Sequence, residues 1–364
     1  MILNLFKLSA VIWLFSFIYP AAVFSSEPIR VAIADDQRSV TLSSSSGLMW
    51  AGSSSDRHEK KLVFSPGSVG GRPIRIKSVD DATQVNGRRY RGWLEIRKKR
   101  NGLLLVINEL GLEAYLYGVV ASEIPHDWEF EALKAQAVAA RTYALYQKRT
   151  AGNRSYHILA TVNSQVYRGA DGERSSTIRA VRDTQGIIIV YGGRVIPAFF
   201  HSNCGGQTED AAKLWGIDLP YLKGVDCDCQ EIVQDELWEK RISTTTVARA
   251  LRRFGYRLDT ISDVNVAKLT PAGRVQRVEV RSEDRTTLVP GDTFRSALGH
   301  TVIPSVFFEM EILGDDIVFS GRGRGHGVGL CQWGAKEMAQ KGHDFKSILS
   351  HYYPGTSLAR IKER

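Results

Sequence analysis

Between Asp127 and Gln147 the chain reads DWEFEALKAQAVAARTYALYQ, and this stretch restricts the possible folds more than any other. Asp127 can cap a helix, Glu129 and Glu131 suit its first turn, and six alanines fall between positions 132 and 144. The pattern predicts a helix to about Gln147. Alanine at this density lets another backbone pack closely, which suits the centre of a tight core. On a helical wheel Phe130, Leu133, Ala137, Ala144 and Leu145 share one arc, and Arg141 falls in its middle. A guanidinium buried there needs a carboxylate or an anionic ligand beside it. Two readings stay open at this point. Arg141 is either a structural ion pair with a distant Asp or Glu, or a functional cation working with Glu123, the isolated carboxylate before Pro125.

Short strands surround this helix. Residues 28–110 hold alternating runs such as IRVAIA, RPIRIKSV, GWLEIRKK and GLLLVINEL, separated by Ser/Gly-rich and charged turns. GIIIVY (186–191) and RVIPAFF (194–200) flank Gly192-Gly193, a two-residue loop suited to positive φ. The resulting hairpin delivers the segment HSNCGGQTED. Residues 233–315 read as a separate α+β unit, with TTTVARALRRFG as an amphipathic helix and RVQRVEVRSEDRTTLV as a pair of strands. The expected fold class is α+β: mixed β-sheets around the alanine-rich helix, with the smaller unit as the second wall of a cleft. The expected division is a leader at 1–26, a β-rich region at 27–110 and a core at 111–232. The inserted unit follows at 233–315, and 316–364 is a glycine-rich strand and helix that complete the core.

The first residues, MILNLFKLSAVIWLFSFIYPAAVFSSEP, join one lysine, an apolar run and a small-residue stretch from Ala21 to Ser26. This is the layout of a secretory signal peptide, with an uncleaved membrane anchor as the alternative. The reading is an exported protein of the periplasm, envelope or exterior. Of the acidic partners that a net charge of +9 invites, export removes nucleic acid and leaves an anionic wall polymer. A membrane contact is expected only through the leader segment.

GRGRGHGVGL places glycine at 321, 323, 325, 327 and 329. Read as a strand, one face is bare backbone and the other carries Arg322, Arg324, His326 and Val328. Neither dinucleotide nor P-loop spacing is present, and no G-x-S-x-G marks a serine nucleophile. The cysteines are Cys204, Cys227, Cys229 and Cys331. Outside the cytosol they suggest a disulfide of Cys204 with Cys227 or Cys229. The alternative is zinc on His201, Cys204 and one or both of Cys227 and Cys229.

Three segments taken together resemble the stage II sporulation protein D / amidase enhancer LytB family. They are EAYLYGVVASEIPHDWEFEALKAQAVAARTYAL (113–145), AFFHSNCGGQTEDAAKLWGIDLPYL (198–222) and GRGRGHGVGLCQWGAKEMAQKGHDFKSILSHYYPGT (321–356), with SQVYRG (164–169) as a shorter fourth. The resemblance implies a lytic transglycosylase of peptidoglycan acting on glycan strands that lack stem peptides, or a wall-binding enhancer of an N-acetylmuramoyl-L-alanine amidase. It places the catalytic glutamate on Glu123, with Arg141, Tyr221 and Lys223 as further active-site residues. Arg322, Arg324, His326 and Gln332 are then expected to bind the glycan. No cofactor is required for that chemistry. The resemblance tilts the His201/Cys204/Cys227/Cys229 set towards structural zinc, and leaves Cys331 out of it.

Overall fold

The computed structural model describes residues 28–52, 59–80, 82–162, 164–233, 237–283 and 285–361. The expected leader lies outside them. No helix among the described residues is long and apolar enough to cross a membrane. The chain is α+β, as the sequence indicates.

Nine strands between Ile29 and Leu110 build a six-stranded and a four-stranded sheet, the first completed by Ile158–Leu159. In the six-stranded sheet Ile29–Gln37 pairs antiparallel with Leu104–Leu110 and parallel with Ile158–Leu159, so the sheet is mixed. Helix α1, Leu112–Glu123, leaves this sheet and ends where Pro125 forces Ile124 into extended geometry (φ −136°, ψ 153°). Sequence periodicity did not reveal α1, and Glu123 is its last residue rather than part of a loop. Helix α2, Phe130–Thr150, is the alanine-rich segment. Its N-cap is Glu129, two residues beyond the expected Asp127.

Helix α2 is buried almost all round because it serves two cores. Leu133, Ala137, Ala140 and Ala144 pack with α1 and the N-terminal sheets. Ala135, Val138 and Ala139 pack against the second half of the molecule. Helix α3, Ser175–Asp183, lies against both α1 and α2. Beyond it the expected hairpin forms, pairing Val190 with Val195 and Tyr191 with Arg194. Gly192 and Gly193 turn it at φ 53° and 74°. A short helix α4, Ala211–Trp215, follows and is capped by Asp210.

The inserted unit has its own core, including Val247, Leu251, Val278, Phe294, Phe308 and Phe319. Two three-stranded antiparallel sheets carry α5, Thr244–Arg253, and α6, Gly291–Leu298. Strand Asp316–Arg322 is the middle strand between Leu237–Ser243 and Phe308–Leu313. The strand that follows position 315 thus pairs on both sides with strands of the 233–315 segment. The chain then re-enters the second core through α7, Gln332–Gln340, and α8, Phe345–Tyr352, before its last strand pairs with Ile187–Tyr191.

The glycine run is not the flat strand expected. Regular pairing stops at Arg322, and Gly323, Gly325, Gly327 and Gly329 take φ of 71°, 109°, 84° and 73°. Each reversal is a conformation that Cβ-bearing residues avoid. Isolated bridges join Asn203 to Arg324, Glu209 to Val328 and Ser305 to Gly325. The segment is thus threaded between the HSNCGG loop and the inserted unit, where close approach also demands glycine. A Cβ on Gly325 would stand 2.6 Å from the His201 Cβ, and one on Gly329 would stand 2.2 Å from Phe199 O.

Candidate functional site

Glu123 lies at the C-terminal end of α1, half-buried, where the partial negative charge of the helix already disfavours an anion. Its one resolved contact is charge-relevant: Val166 N–H donates to Oε1 at 2.6 Å. Burial raises its carboxyl to about 7, against the smaller opposing effect of that hydrogen bond. No lysine or arginine among the described residues forms an ion pair with it. The loop that supplies Val166 is the SQVYRG segment, and its side chains anchor it. Gln165 accepts from Tyr115 Oη at 3.1 Å and donates to Ala140 O at 3.2 Å, while Tyr167 Oη donates to Asn108 Oδ1 at 3.0 Å. The core thereby fixes the Val166 donor aimed at Glu123.

Glu123 opens onto a cleft of about 650 Å³. Tyr143, Ser164 and Val166 line it on the α2 side, and Phe199 to Ser202, Trp215 and Gln332 line it from the second core. Asp292, Arg295, Ser296 and His300 come from α6 and its following turn. Arg324, Gly325 and His326 of the glycine run line it as well. His326 packs against Trp215, His201 and Phe199 with ring centroids 5.1, 5.4 and 6.1 Å away. Burial, aided by Arg295, pushes His326 down to about 3. An aromatic, uncharged floor beside one protonatable carboxyl suits a polyhydroxylated, flat-faced ligand.

Three of the four residues expected to bind glycan, Arg324, His326 and Gln332, line this cleft. Arg322 does not: its guanidinium stacks 4.0 Å from the Phe307 ring in a separate groove of the inserted unit. Asp292 is a second cleft carboxylate that sequence reasoning missed. Only its position in the first turn of α6 could have marked it.

Arg141 takes the structural of the two arrangements left open by its sequence. Its guanidinium is fully buried and makes a two-pronged pair with Glu113, Nε to Oε1 and Nη2 to Oε2, each at 2.7 Å. It also donates to Val181 O at 3.0 Å and Ile187 O at 3.2 Å. Glu113 sits in the first turn of α1, and at about 1.5 Å per residue the ten residues to Glu123 span roughly 15 Å. The arginine therefore ties α1, α3 and the hairpin to α2 and is occupied away from Glu123. Tyr221 is buried against Tyr191, ring centroids 5.1 Å apart. Lys223 is exposed and pairs with Asp218 at 2.5 Å and Asp210 at 3.5 Å. Neither residue lines the cleft.

The cysteines form one buried cluster, with the Sγ atoms of Cys204, Cys227, Cys229 and Cys331 all within 4.8 Å of one another. No disulfide joins any two of them. Two corrections follow. Cys331 belongs to the set, brought in as the N-cap of α7, where its Sγ accepts from the N–H groups of Cys204 and Gly334 at 3.4 Å each. His201 stands outside it, with Nδ1 turned 3.2 Å from Val328 O. Four thiolates on a divalent ion at about 2.3 Å lie roughly 3.8 Å apart, so the cluster matches a closed tetrahedral set. Hydrogen bonds from Cys204 and its neighbours hold the Cys229 thiol far below its usual range. Burial first, then those neighbours, pushes Cys331 well above it.

An α+β core with a cleft built around one raised carboxyl is the class of molecule these features define. A family model described as Stage II sporulation protein matches residues 100–191, and one described as Domain of unknown function (DUF8618) matches residues 226–329. Stage II sporulation protein D of Bacillus subtilis (strain 168) is 32% identical over 275 residues, 70% of this chain and 76% of that protein. An uncharacterized protein of Brachyspira hyodysenteriae is 36% identical over 284 residues, 78% of this chain and 76% of its own length. The Amidase enhancer of Bacillus subtilis (strain 168) is 29% identical over 288 residues, 67% of this chain but 40% of the enhancer. The chain belongs to the stage II sporulation protein D family.

Proposed function

We propose that the protein is an exported lytic transglycosylase of peptidoglycan that cleaves the β-1,4 bond between N-acetylmuramic acid and N-acetylglucosamine. The observation that carries this reading is Glu123, a carboxyl raised to about 7 in a cleft with no cationic partner among the described residues. Protonated, it gives its proton to the glycosidic oxygen as the bond to C1 breaks. The carboxylate left behind, steadied by the Val166 N–H, then takes the proton of the muramic acid C6 hydroxyl as that oxygen bonds to C1. The product is a 1,6-anhydro end. A glycosidase using water needs a second carboxylate as base or nucleophile; here the sugar supplies the attacking hydroxyl. Asp292 is the residue against which to test this point.

The four cysteines would hold structural zinc, which supplies a cross-link and, with all four positions taken by sulfur, no activated water. That cross-link joins the HSNCGG loop to the start of α7, whose first residue, Gln332, lines the cleft.

The test is digestion of glycan strands lacking stem peptides by the wild type, Glu123→Gln and Asp292→Asn. The reading requires anhydro-muramic ends from the wild type and from Asp292→Asn, and none from Glu123→Gln. Reducing ends that vanish in Asp292→Asn would replace it with ordinary hydrolysis. A second reading, a non-catalytic wall-binding enhancer of an amidase, is favoured by the similarity to the Amidase enhancer. It requires glycan binding without cleavage, and a faster amidase when the two are mixed.

A further inference from the structure

His201 carries a buried acceptor that the fold leaves unused. Its Nδ1 is 3.2 Å from Val328 O, and a carbonyl can only accept, so the proton is on Nδ1 and the lone pair is on Nε2. Nε2 is buried with no hydrogen-bond partner. An unsatisfied buried acceptor costs about 1–3 kcal/mol, and such groups are retained where a ligand satisfies them.

The surroundings of the ring say which ligand. His201 lines the same cleft as Glu123, Tyr143 and Gln332. Its neighbour His326 is oriented in the opposite sense, because Val328 N–H donates to His326 Nδ1 at 3.1 Å. The backbone of one residue, Val328, thus sets both tautomers and leaves the unpartnered lone pair on His201. The ring is held by the parallel pairing of Phe200–His201 with Leu330–Cys331 and by Gly325, which leaves room for its Cβ. The four sulfurs form a complete set without it.

We propose that His201 Nε2 accepts a hydrogen bond from a hydroxyl of the bound sugar and turns that sugar towards Glu123. The inference rests on the glycan reading of the cleft and adds a substrate-touching residue to it. No group of three or more metal-ligating side chains among the described residues includes His201, so a metal is not the ligand argued for here.

The full-length protein with glycan oligomers tests it. His201→Asn keeps a donor for Val328 O and deletes the acceptor, whereas His201→Gln can place an oxygen near the Nε2 position. Expected results are a loss of tenfold or more in kcat/KM for the Asn variant (about 1.4 kcal/mol per tenfold), partial recovery in the Gln variant, and unchanged melting temperature and zinc content. Unaltered kcat/KM in His201→Asn overturns the proposal. So does an equal loss in both variants, which makes the ring a packing element, or loss of zinc from either, which makes it a metal ligand. If the wild type cuts no glycan, calorimetry with the same oligomers decides. Weaker binding by His201→Asn than by the wild type upholds the acceptor while the cleavage reading fails, and equal binding refutes it.

Discussion

Removing the Arg141 guanidinium separates a structural cation from a catalytic one. Arg141→Ala leaves Glu113, whose side chain is 17% exposed, with a largely buried charge and no cation, and it strips the donors from Val181 O and Ile187 O. Breaking a buried pair in this way costs about 3–5 kcal/mol. At roughly 2–4 °C per kcal/mol for a domain of comparable size, the melting temperature should fall by about 6–20 °C. Arg141→Met refills the volume but still orphans Glu113, so it should fall nearly as far. Arg141→Met combined with Glu113→Leu removes both charges and should recover most of the loss, because apolar replacement of a whole buried pair is often neutral. Thermal melts of the four proteins, alongside glycan cleavage by the folded fraction at low temperature, make the assay. If Arg141→Met melts like the wild type yet cleaves nothing, the guanidinium works in the cleft and the structural account is wrong.

Glu123 also links stability to pH. Burial raises its carboxyl to about 7 in the fold against an ordinary value of 4.5, so the folded state holds an extra proton between those values and stability falls as pH rises through that window. Glu123→Gln should remove this slope and stabilise the protein above pH 7 by up to about 3 kcal/mol in denaturant titrations at several pH values; an unchanged slope contradicts the raised pKa. The acid form being the reactive one, kcat/KM should decline on the alkaline side of about pH 7. Gly325→Ala should lower both the melting temperature and cleavage, since its φ of 109° suits glycine and the added Cβ meets the His201 Cβ at 2.6 Å; a wild-type melting temperature would show that the turn and the ring can shift harmlessly. A strong chelator should lower the melting temperature while a non-chelating reductant should not, and elemental analysis finding no stoichiometric zinc would remove the metal from the account.

The sequence made the local features plain and the long-range ones obscure. Helix α2, the Gly192-Gly193 hairpin, α5 and the strands of the inserted unit follow from period and turn chemistry, which act over a few residues. Arg141 could be recognised as buried, but its partner Glu113 lies in a helix that no clear apolar stripe announces. Cys331 sits far along the chain from Cys204, and long-range contacts such as the parallel pairing of Phe200–His201 with Leu330–Cys331 bring them together. The glycine alternation imitates a strand because period alone cannot tell a bare sheet face from a run of left-handed turns. Glu123, Arg324, His326 and Gln332 do meet in one cleft, whereas Tyr221, Lys223 and Arg322 do not. Asp292 escaped notice because an aspartate in the first turn of a helix ordinarily needs no explanation beyond the helix dipole.

The most direct test of the central claim is to digest stem-peptide-free glycan in heavy-oxygen water and weigh the products. Attack by the C6 hydroxyl consumes no water, so every new muramic end should be an anhydro ring, one water lighter than a reducing end and free of heavy oxygen. Heavy oxygen at new reducing ends, or intact glycan after prolonged incubation with folded protein, would contradict it.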